Sequence, residues 1–346
     1  MSGEPRISVI VPCYNVERWL PRCLDTTLAA LPSDAELIAV DDGSADSTLD
    51  ILRACAKADA RVHVIASAHA GVSAARNRAL DALRGDYVFF VDPDDAVEPD
   101  FFTSMVEALE REGADCCVCG YSERPDGDET CHAVRLKDDY RLRSNAEIVR
   151  EYLPRIFGYS FADIRSWYAG KPLFSGREMA AVWRTAYRRD VIESRHVRFD
   201  ESIELYEDAM FNAECLLGAS SLTCIDRPLY RVTSRSSGAM RTVPRHGKRY
   251  CVNKLRLVRK RAEIDSRCGG ALTSVYAGTC VLSALEILAY AVRGRVGRRE
   301  GFRLLGECLD EPSVRRALAE FPLSWRRPDV ALAVWFLRLL VRCRAD

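Results

Sequence analysis

The sequence predicts an α/β protein, with a mostly parallel central sheet, helices on both faces and a C-terminal helical extension. Three observations carry that prediction. Four short apolar runs rich in Val, Ile and Phe precede Asp95, and Pro, Gly, Ser, Asn or Asp stops each of them. The segments between them repeat their apolar residues at helical spacing. Beyond Lys248 only helical patterning remains.

The elements follow in order. "RISVIVPCYN" reads as a strand ended by Pro12 and Asn15. The next helix starts near Pro21 and buries Leu24, Leu28 and Leu31. Proline suits a first helical position because its missing N–H would lack a partner there anyway. "AELIAVDDGSADST" is a second buried strand that breaks into a Gly/Ser turn, before a helix carrying Leu49, Leu52 and Cys55. "RVHVIAS", "GVSAARNRALDAL" and "GDYVFFVDPDD" complete the series as strand, helix and strand. Strands that alternate with helices pair in parallel and are covered on both faces.

Ligands of such sheets bind at the carboxyl ends of the strands, and acidic residues cluster there. Asp41 and Asp42 follow the second strand; Asp92, Asp94 and Asp95 follow the fourth. One of the first pair could cap the next helix, but Asp46 or Ser44 is better placed, which leaves Asp42 to accept hydrogen bonds from a ligand. Three carboxylates so close together repel unless a cation neutralises them. Mg²⁺ or Mn²⁺ fits, because such ions take one or two carboxylates and share their shell with substrate phosphates. The alternative is a solvated acidic turn.

Composition narrows the function. The chain of 346 residues has 50 basic and 50 acidic side chains, so its overall charge gives no sign of nucleic-acid binding. "MSGEPRISVIVPCYN" enters a strand with no charged leader or cleavage site, and no run reaches the roughly 18 apolar residues of a membrane span. The fourteen cysteines are scattered through apolar runs, as in reduced, cytoplasmic proteins. "DCCVCGY" lacks a second Cys or His pair at zinc spacing and reads as a buried strand.

"ISVIVPCYN", "AVDDGSADST", "HAGVSAARNRAL" and "YVFFVDPDD" follow one another in the order and approximate spacing of family 2 glycosyltransferases with the Rossmann-like GT-A fold. "AAVWRTAYRRDVI", "FDESIELYEDAMFN" and "RPLYRVTSRSSGAMR" extend the resemblance to bacterial capsular and exopolysaccharide members, over residues 6 to about 241. It implies a catalytic domain at 1–244, with a nucleotide-sugar-binding half (1–105) and an acceptor-side half (106–244), and a helical region at 245–346. It implies that Pro12 and Tyr14 line the base pocket, that Asp42 accepts from the uracil N–H, and that Arg76 helps to hold the base. Asp92 would face the ribose. Asp94 would ligate Mn²⁺ or Mg²⁺ on the diphosphate, with Asp92 and Asp95 in support. Asp208 matches the base that activates the acceptor hydroxyl. The activity implied is metal-assisted transfer with inversion, from a UDP-sugar to a glycan or lipid-linked saccharide in surface polysaccharide assembly. A non-catalytic sugar-nucleotide-binding subunit is the alternative.

That chemistry suits these residue types. A departing diphosphate needs a Lewis acid, and a hydroxyl becomes an adequate nucleophile when a carboxylate takes its proton. One base opposite the leaving group gives a single displacement, unlike the paired carboxyls of retaining glycosidases. From the residues alone, Asp208 also reads as a helix-surface charge among Glu204, Glu207 and Glu214. Arg231, Ser237 and Arg241 could clamp the diphosphate or belong to a solvated basic linker. Between Arg124 and Ser175, Tyr159, Phe161, Trp167 and Tyr168 could stack on acceptor sugars or pack beneath a loop. His69 departs from the Asn common in relatives, and Ala79 from Gly.

In the C-terminal region, "VYAGTCVLSALEILAYAVRG" reads as a buried helix ended by Gly294. "PDVALAVWFLRLLVRCRAD" could lie on a membrane surface, making a peripheral contact at the inner face of the plasma membrane, or dock on its own domain or in a homodimer; its pattern favours docking. An aspartate-nucleophile phosphohydrolase would continue the second Asp of its motif into Gly-Thr, where this chain has Asp95-Ala96. A nucleotidyltransferase would open on a Gly-rich basic loop, which "VPCYNVERWL" is not.

Overall fold

A computed structural model describes residues 5–125, 132–134, 140–173, 178–234, 246–324 and 326–344. The expected strands form as β1 (Ile7–Cys13), β2 (Ala35–Asp41), β3 (Val62–Ala66) and β4 (Tyr87–Phe90). Between them lie α1 (Leu20–Ala30), α2 (Thr48–Ala58) and α3 (Val72–Leu80). There follow β5 (Ala96–Val97), α4 (Phe101–Glu112), β6 (Cys116–Pro125), β7 (His132–Val134), β8 (Tyr140–Leu142), β9 (Thr185–Arg188) and β10 (Leu222–Ser234).

These strands make one mixed sheet in the order β3-β2-β1-β4-β9-β6-β10-β5, with β7 beside β6 and β8 beside β10. Its first four strands are parallel, whereas β9 runs antiparallel to both β4 and β6. β1 and β2 are buried along their whole length, which is why they read as continuous apolar runs rather than alternating ones. Cys116, Cys117 and Cys119 lie buried in β6, and no disulfide joins the described cysteines.

The chain forms two compact units. The first comprises Met1–Ile148, Ala181–Glu201 and Glu214–Ser236 and contains the described sheet; the second comprises Val149–Ala180, Ser202–Ala213 and Ser237–Asp346. These units cut across a division at residue 244, because two earlier segments join the C-terminal helices. The second unit contains α5 (Phe161–Tyr168), α7 (Gly247–Arg267), α8 (Thr273–Val292), α9 (Arg298–Asp310), α10 (Pro312–Glu320) and α11 (Pro328–Cys343). The unit boundary falls within the remaining long helix, α6 (Glu207–Gly218).

The apolar α8 explains the recruitment of the earlier segments. It is long and apolar enough to cross a membrane, yet more than half of its apolar window is buried inside the protein. A helix apolar on several faces needs partners on several sides. The segment before α5 supplies one: a Cβ on Gly278 would sit 2.7 Å from the Tyr159 carbonyl, so glycine lets the backbones approach. The buried Arg261 donates to the Phe157 carbonyl at 2.7 Å and ties α7 to the same segment.

Candidate active site

The parallel strands deliver two acidic groups to the carboxyl-end edge of the first unit. At the end of β2, the buried Asp42 accepts from the backbone N–H groups of Ala70 (2.9 Å) and Gly71 (2.7 Å), at the entry to α3. His69 Nδ1 lies 2.8 Å from its Oδ2, and Arg78 Nη1 3.5 Å from its Oδ1. Gly43 permits this approach: its φ is +73°, and a Cβ there would come within 2.8 Å of the His69 amide. Asp42 therefore organises the 67–71 loop while each of its oxygens retains acceptor capacity. Capping of α2 falls to Asp46, which accepts from Thr48 N–H at 3.0 Å. Asp41 Oδ2 takes the Ser44 N–H at 3.3 Å, and its buried Oδ1 has no hydrogen-bond partner among the described residues.

Pro12 is buried in β1 opposite Val40, and the chain then presents Tyr14, which is 44% exposed. The Tyr14 ring stacks on His69 with centroids 4.1 Å apart and planes 19° apart. A flat aromatic surface thus stands beside the Asp42 carboxylate, and His69, a departure from the family pattern, forms half of it.

The turn after β4 separates its carboxylates. Asp92 pairs with Arg76, whose Nη2 lies 2.9 Å from Oδ1; that guanidinium is itself buried and sits 5.1 Å over the Phe199 ring. Asp94 is partly exposed, and its backbone carbonyl accepts from Arg22 at 2.9 Å. Asp95 points inward and is buried, accepting from Thr233 N–H at 2.6 Å and from the Tyr230 hydroxyl. Burial, with the charges of Asp94 and Asp92 behind it, pushes the Asp95 carboxyl well above the usual carboxylate range.

The three carboxylates accordingly do not form one ligand set, and no group of three His, Cys, Asp or Glu suited to a metal occurs among the described residues. Asp95, expected in support of the metal, is buried and engaged by β10 through Thr233 N–H and the Tyr230 hydroxyl. Asp92 and Asp94 remain accessible and supply hard oxygen donors. That pair fits Mg²⁺ or Mn²⁺ when a diphosphate completes the shell. The charge problem of the acidic turn is also met partly by the protein itself, through Arg76, Arg22 and inward burial.

Other expected residues fall elsewhere. Arg231 donates to the Val97 carbonyl at 2.8 Å and pairs with Glu98 at 3.3 Å. The neighbouring Tyr230 is the residue of this strand whose side chain meets Asp92 and Asp95. Ser237 and Arg241 lie outside the described residues. Phe161 packs edge-on against Phe321, and Trp167 stacks on Tyr168 beneath Arg327.

Asp208 belongs to the second unit, in the first turn of α6, half-buried. The segment leading to it is held firmly: Asn253 Oδ1 accepts from Glu204 N–H (2.7 Å) and Leu205 N–H (3.2 Å), and Arg249 pairs with Glu204 at 2.7 Å. Tyr206 has φ +65°, an uncommon conformation for a bulky residue, immediately before the helix.

Sequence reasoning missed Tyr230, Arg22 and Thr233. The Tyr230 hydroxyl accepts from Asp92 N–H at 2.9 Å, and its ring stacks on Trp183 at 4.5 Å. Arg22 bridges the Asp94 carbonyl and the Thr233 hydroxyl, at 2.9 and 2.6 Å. In the sequence Tyr230 stands out only as the residue before Arg231; its contact with the turn comes from the pairing of β10 with β5.

Residues 8–168 match the family model for glycosyl transferase family 2. Over 226 residues the chain is 34% identical to the uncharacterized glycosyltransferase EpsJ of Bacillus subtilis, covering 65% of this chain and 60% of EpsJ. It is 29% identical over 222 residues to the succinoglycan biosynthesis protein ExoO of Rhizobium meliloti, covering 64% and 56%. These two alignments thus span less than two thirds of either relative. The fold resembles that of S. aureus TarS 1-349 in complex with UDP-GlcNAc, with a TM-score of 0.61 at 17% identity over 97% of this chain and 91% of that one. Residues 8–168 thus resemble glycosyl transferase family 2.

Proposed function

We propose that this protein is an inverting glycosyltransferase that moves a hexosyl or N-acetylhexosaminyl group from a UDP-sugar to a hydroxyl of a glycan or lipid-linked saccharide, in surface polysaccharide assembly. One observation carries the reading. The adjacent parallel strands β2, β1 and β4 bring Asp42, the Tyr14–His69 surface and the Asp92–Asp94 pair to one strand-end edge, where nucleotides bind on such sheets. The UDP-GlcNAc bound to TarS supports the donor class, and the printed role of ExoO supports the pathway.

Each residue then has a task. Tyr14 and His69 offer a stacking surface for the base, with Pro12 behind them, and Asp42 accepts from the base N–H. Asp92 meets the ribose and, with Asp94, holds Mg²⁺ or Mn²⁺. That ion supplies Lewis-acid stabilisation of the leaving diphosphate. Arg76 and Tyr230 fix the Asp92 position, so its geometry is set before the donor arrives. Asp208 takes the proton of the acceptor hydroxyl as it attacks the anomeric carbon, giving inversion.

The test is UDP release from a panel of UDP-sugars with Mn²⁺, followed by transfer to candidate glycans. Release confined to one sugar, abolished by chelation, supports the reading. Metal-dependent donor binding without turnover on any acceptor would identify a binding subunit instead. Absence of metal-dependent UDP binding would contradict both.

A further inference from the structure

The C-terminal helix α11 has two apolar faces, and the protein covers only one of them. Val330, Val334 and Leu337 are buried on the inner face. Leu332, Trp335, Phe336 and Leu339 recur at i, i+3, i+4 and i+7, which puts them on one opposite stripe. They are 63%, 60%, 38% and 42% exposed. Four large apolar side chains in one row, two of them aromatic, are not the scattered exposure of an ordinary surface.

The apolar exposure has neighbours. Gly306 on α9 lies against the Arg344 guanidinium at the end of α11, and Phe302, one turn earlier on α9, is 43% exposed. Gly301 packs on Ala291, next to the 60% exposed Val292.

Charge identifies the partner. The inner arginines are committed to the protein: Arg338 donates to the carbonyls of Leu318 (2.7 Å) and Phe321 (2.9 Å), and Arg344 pairs with Asp310. By contrast Arg326 and Arg342, before α11 and beside its stripe, are exposed, as are Arg293, Arg295, Arg298 and Arg299 between Val292 and Phe302. None of these six has an ion-pair partner among the described residues. Over the same stretch Glu300, Glu307, Asp310, Glu311 and Asp329 are all ion-paired, leaving Glu320 as the exposed carboxylate without an ion-pair partner among the described residues. An apolar stripe with Arg326 before it and Arg342 beside it, neither ion-paired among the described residues, complements an apolar surface that carries negative charge. A second copy fits less well, because pairing like faces across a twofold axis would bring the same arginines together.

We propose that the outer face of α11 is a peripheral docking site for an anionic lipid surface. Leu332, Trp335, Phe336 and Leu339 enter the headgroup boundary, and Arg342 and Arg326 engage lipid phosphates. The face lies within one compact unit and does not depend on the donor-site reading.

The test is co-sedimentation of the full chain with vesicles of phosphatidylcholine alone, or of phosphatidylcholine mixed with phosphatidylglycerol, with size measured in parallel without lipid. The expected result is binding at least about tenfold stronger to the anionic vesicles, reduced about tenfold or more in the Leu332→Ser/Trp335→Ser variant. Arg342→Gln should weaken it by roughly fivefold. Because the substituted side chains are exposed, circular dichroism should be unchanged. If the double variant misfolds, the wild-type lipid comparison and Arg342→Gln still decide. Absence of binding to anionic vesicles overturns the proposal, as does equal binding to neutral ones. So does a wild-type dimer that Leu332→Ser/Trp335→Ser converts to monomer without altering sedimentation.

Discussion

The two acidic strand ends are built from the same residue type and neutralised in opposite ways. Asp42 is surrounded by donors from its own neighbourhood: two backbone N–H groups, His69 and Arg78. The Asp92–Asp95 turn receives one buried guanidinium from Arg76, turns Asp95 inward, and leaves Asp94 partly exposed. The charge of the first site is thus met without a cation, while Asp42 keeps acceptor capacity for a ligand. The second places Asp92 and Asp94 at a partly exposed edge. A strand-end carboxylate can therefore shape a loop, as Asp42 does, or stand at an open edge, as Asp94 does.

The sharpest way to break this comparison is Asp94→Ala. Loss of a Lewis-acid ligand worth several kcal/mol should cut turnover about a thousandfold and abolish its dependence on added Mn²⁺. Unchanged metal dependence would remove Asp94 from the metal role. Asp208→Asn should lower transfer by about 10²- to 10⁴-fold, as expected for a general base, while UDP binding stays at the wild-type level. Parallel loss of UDP binding in that variant would instead assign Asp208 a structural part.

A smaller effect separates structure from chemistry in the turn. Tyr230→Phe deletes a buried hydroxyl that serves both Asp92 N–H and Asp95, and should cost about 1–3 kcal/mol in denaturant unfolding. Stability equal to wild type would show that the hydroxyl is not a brace. Smaller still, His69→Asn removes one ring of the Tyr14 stack. UDP affinity should change by less than about tenfold, consistent with roughly 0.5–1.5 kcal/mol for an aromatic pair.

The same contrast has a pH counterpart at Glu36, in β2. Burial opposes its ionisation, but hydrogen bonds from the Ser8 hydroxyl and from Arg84 outweigh that and hold its carboxyl below the usual value of 4.5. The folded state therefore binds fewer protons at this group than the unfolded chain. Its contribution is complete above about pH 4.5 and is lost as pH falls through the lowered value. Acid unfolding of Glu36→Gln should be flatter below pH 4.5 than that of the wild type; identical slopes would exclude Glu36 as a source of acid lability.

The alternating elements up to Asp95 were legible because β-branched runs, glycine turns and helical leucine spacing agree there at every level. The strand-end positions of Asp42, Tyr14, Asp92 and Asp94 were legible for a related reason, whereas Arg76, in the middle of α3, came only from the resemblance. The division into compact units was not legible, since it depends on Val149–Ala180 returning to cover α8, a contact remote in sequence. Nor was the braced turn, because Arg22, Tyr230 and Thr233 reach it from α1 and β10. The terminal helix was half legible. Its pattern announced packing, and its inner face packs, but only the structure shows that the outer apolar face is left exposed.

The most direct test of one UDP-binding edge built from two unlike carboxylate sites is a calorimetric titration of UDP into the wild-type protein, with Mn²⁺ and then with EDTA. Asp42→Asn and Asp94→Ala would be titrated in parallel. The expected result is binding with Mn²⁺ that collapses on chelation, weakened but still metal-dependent in Asp42→Asn, and insensitive to metal in Asp94→Ala. UDP binding that is equal with and without metal, or absent under both conditions, would contradict it.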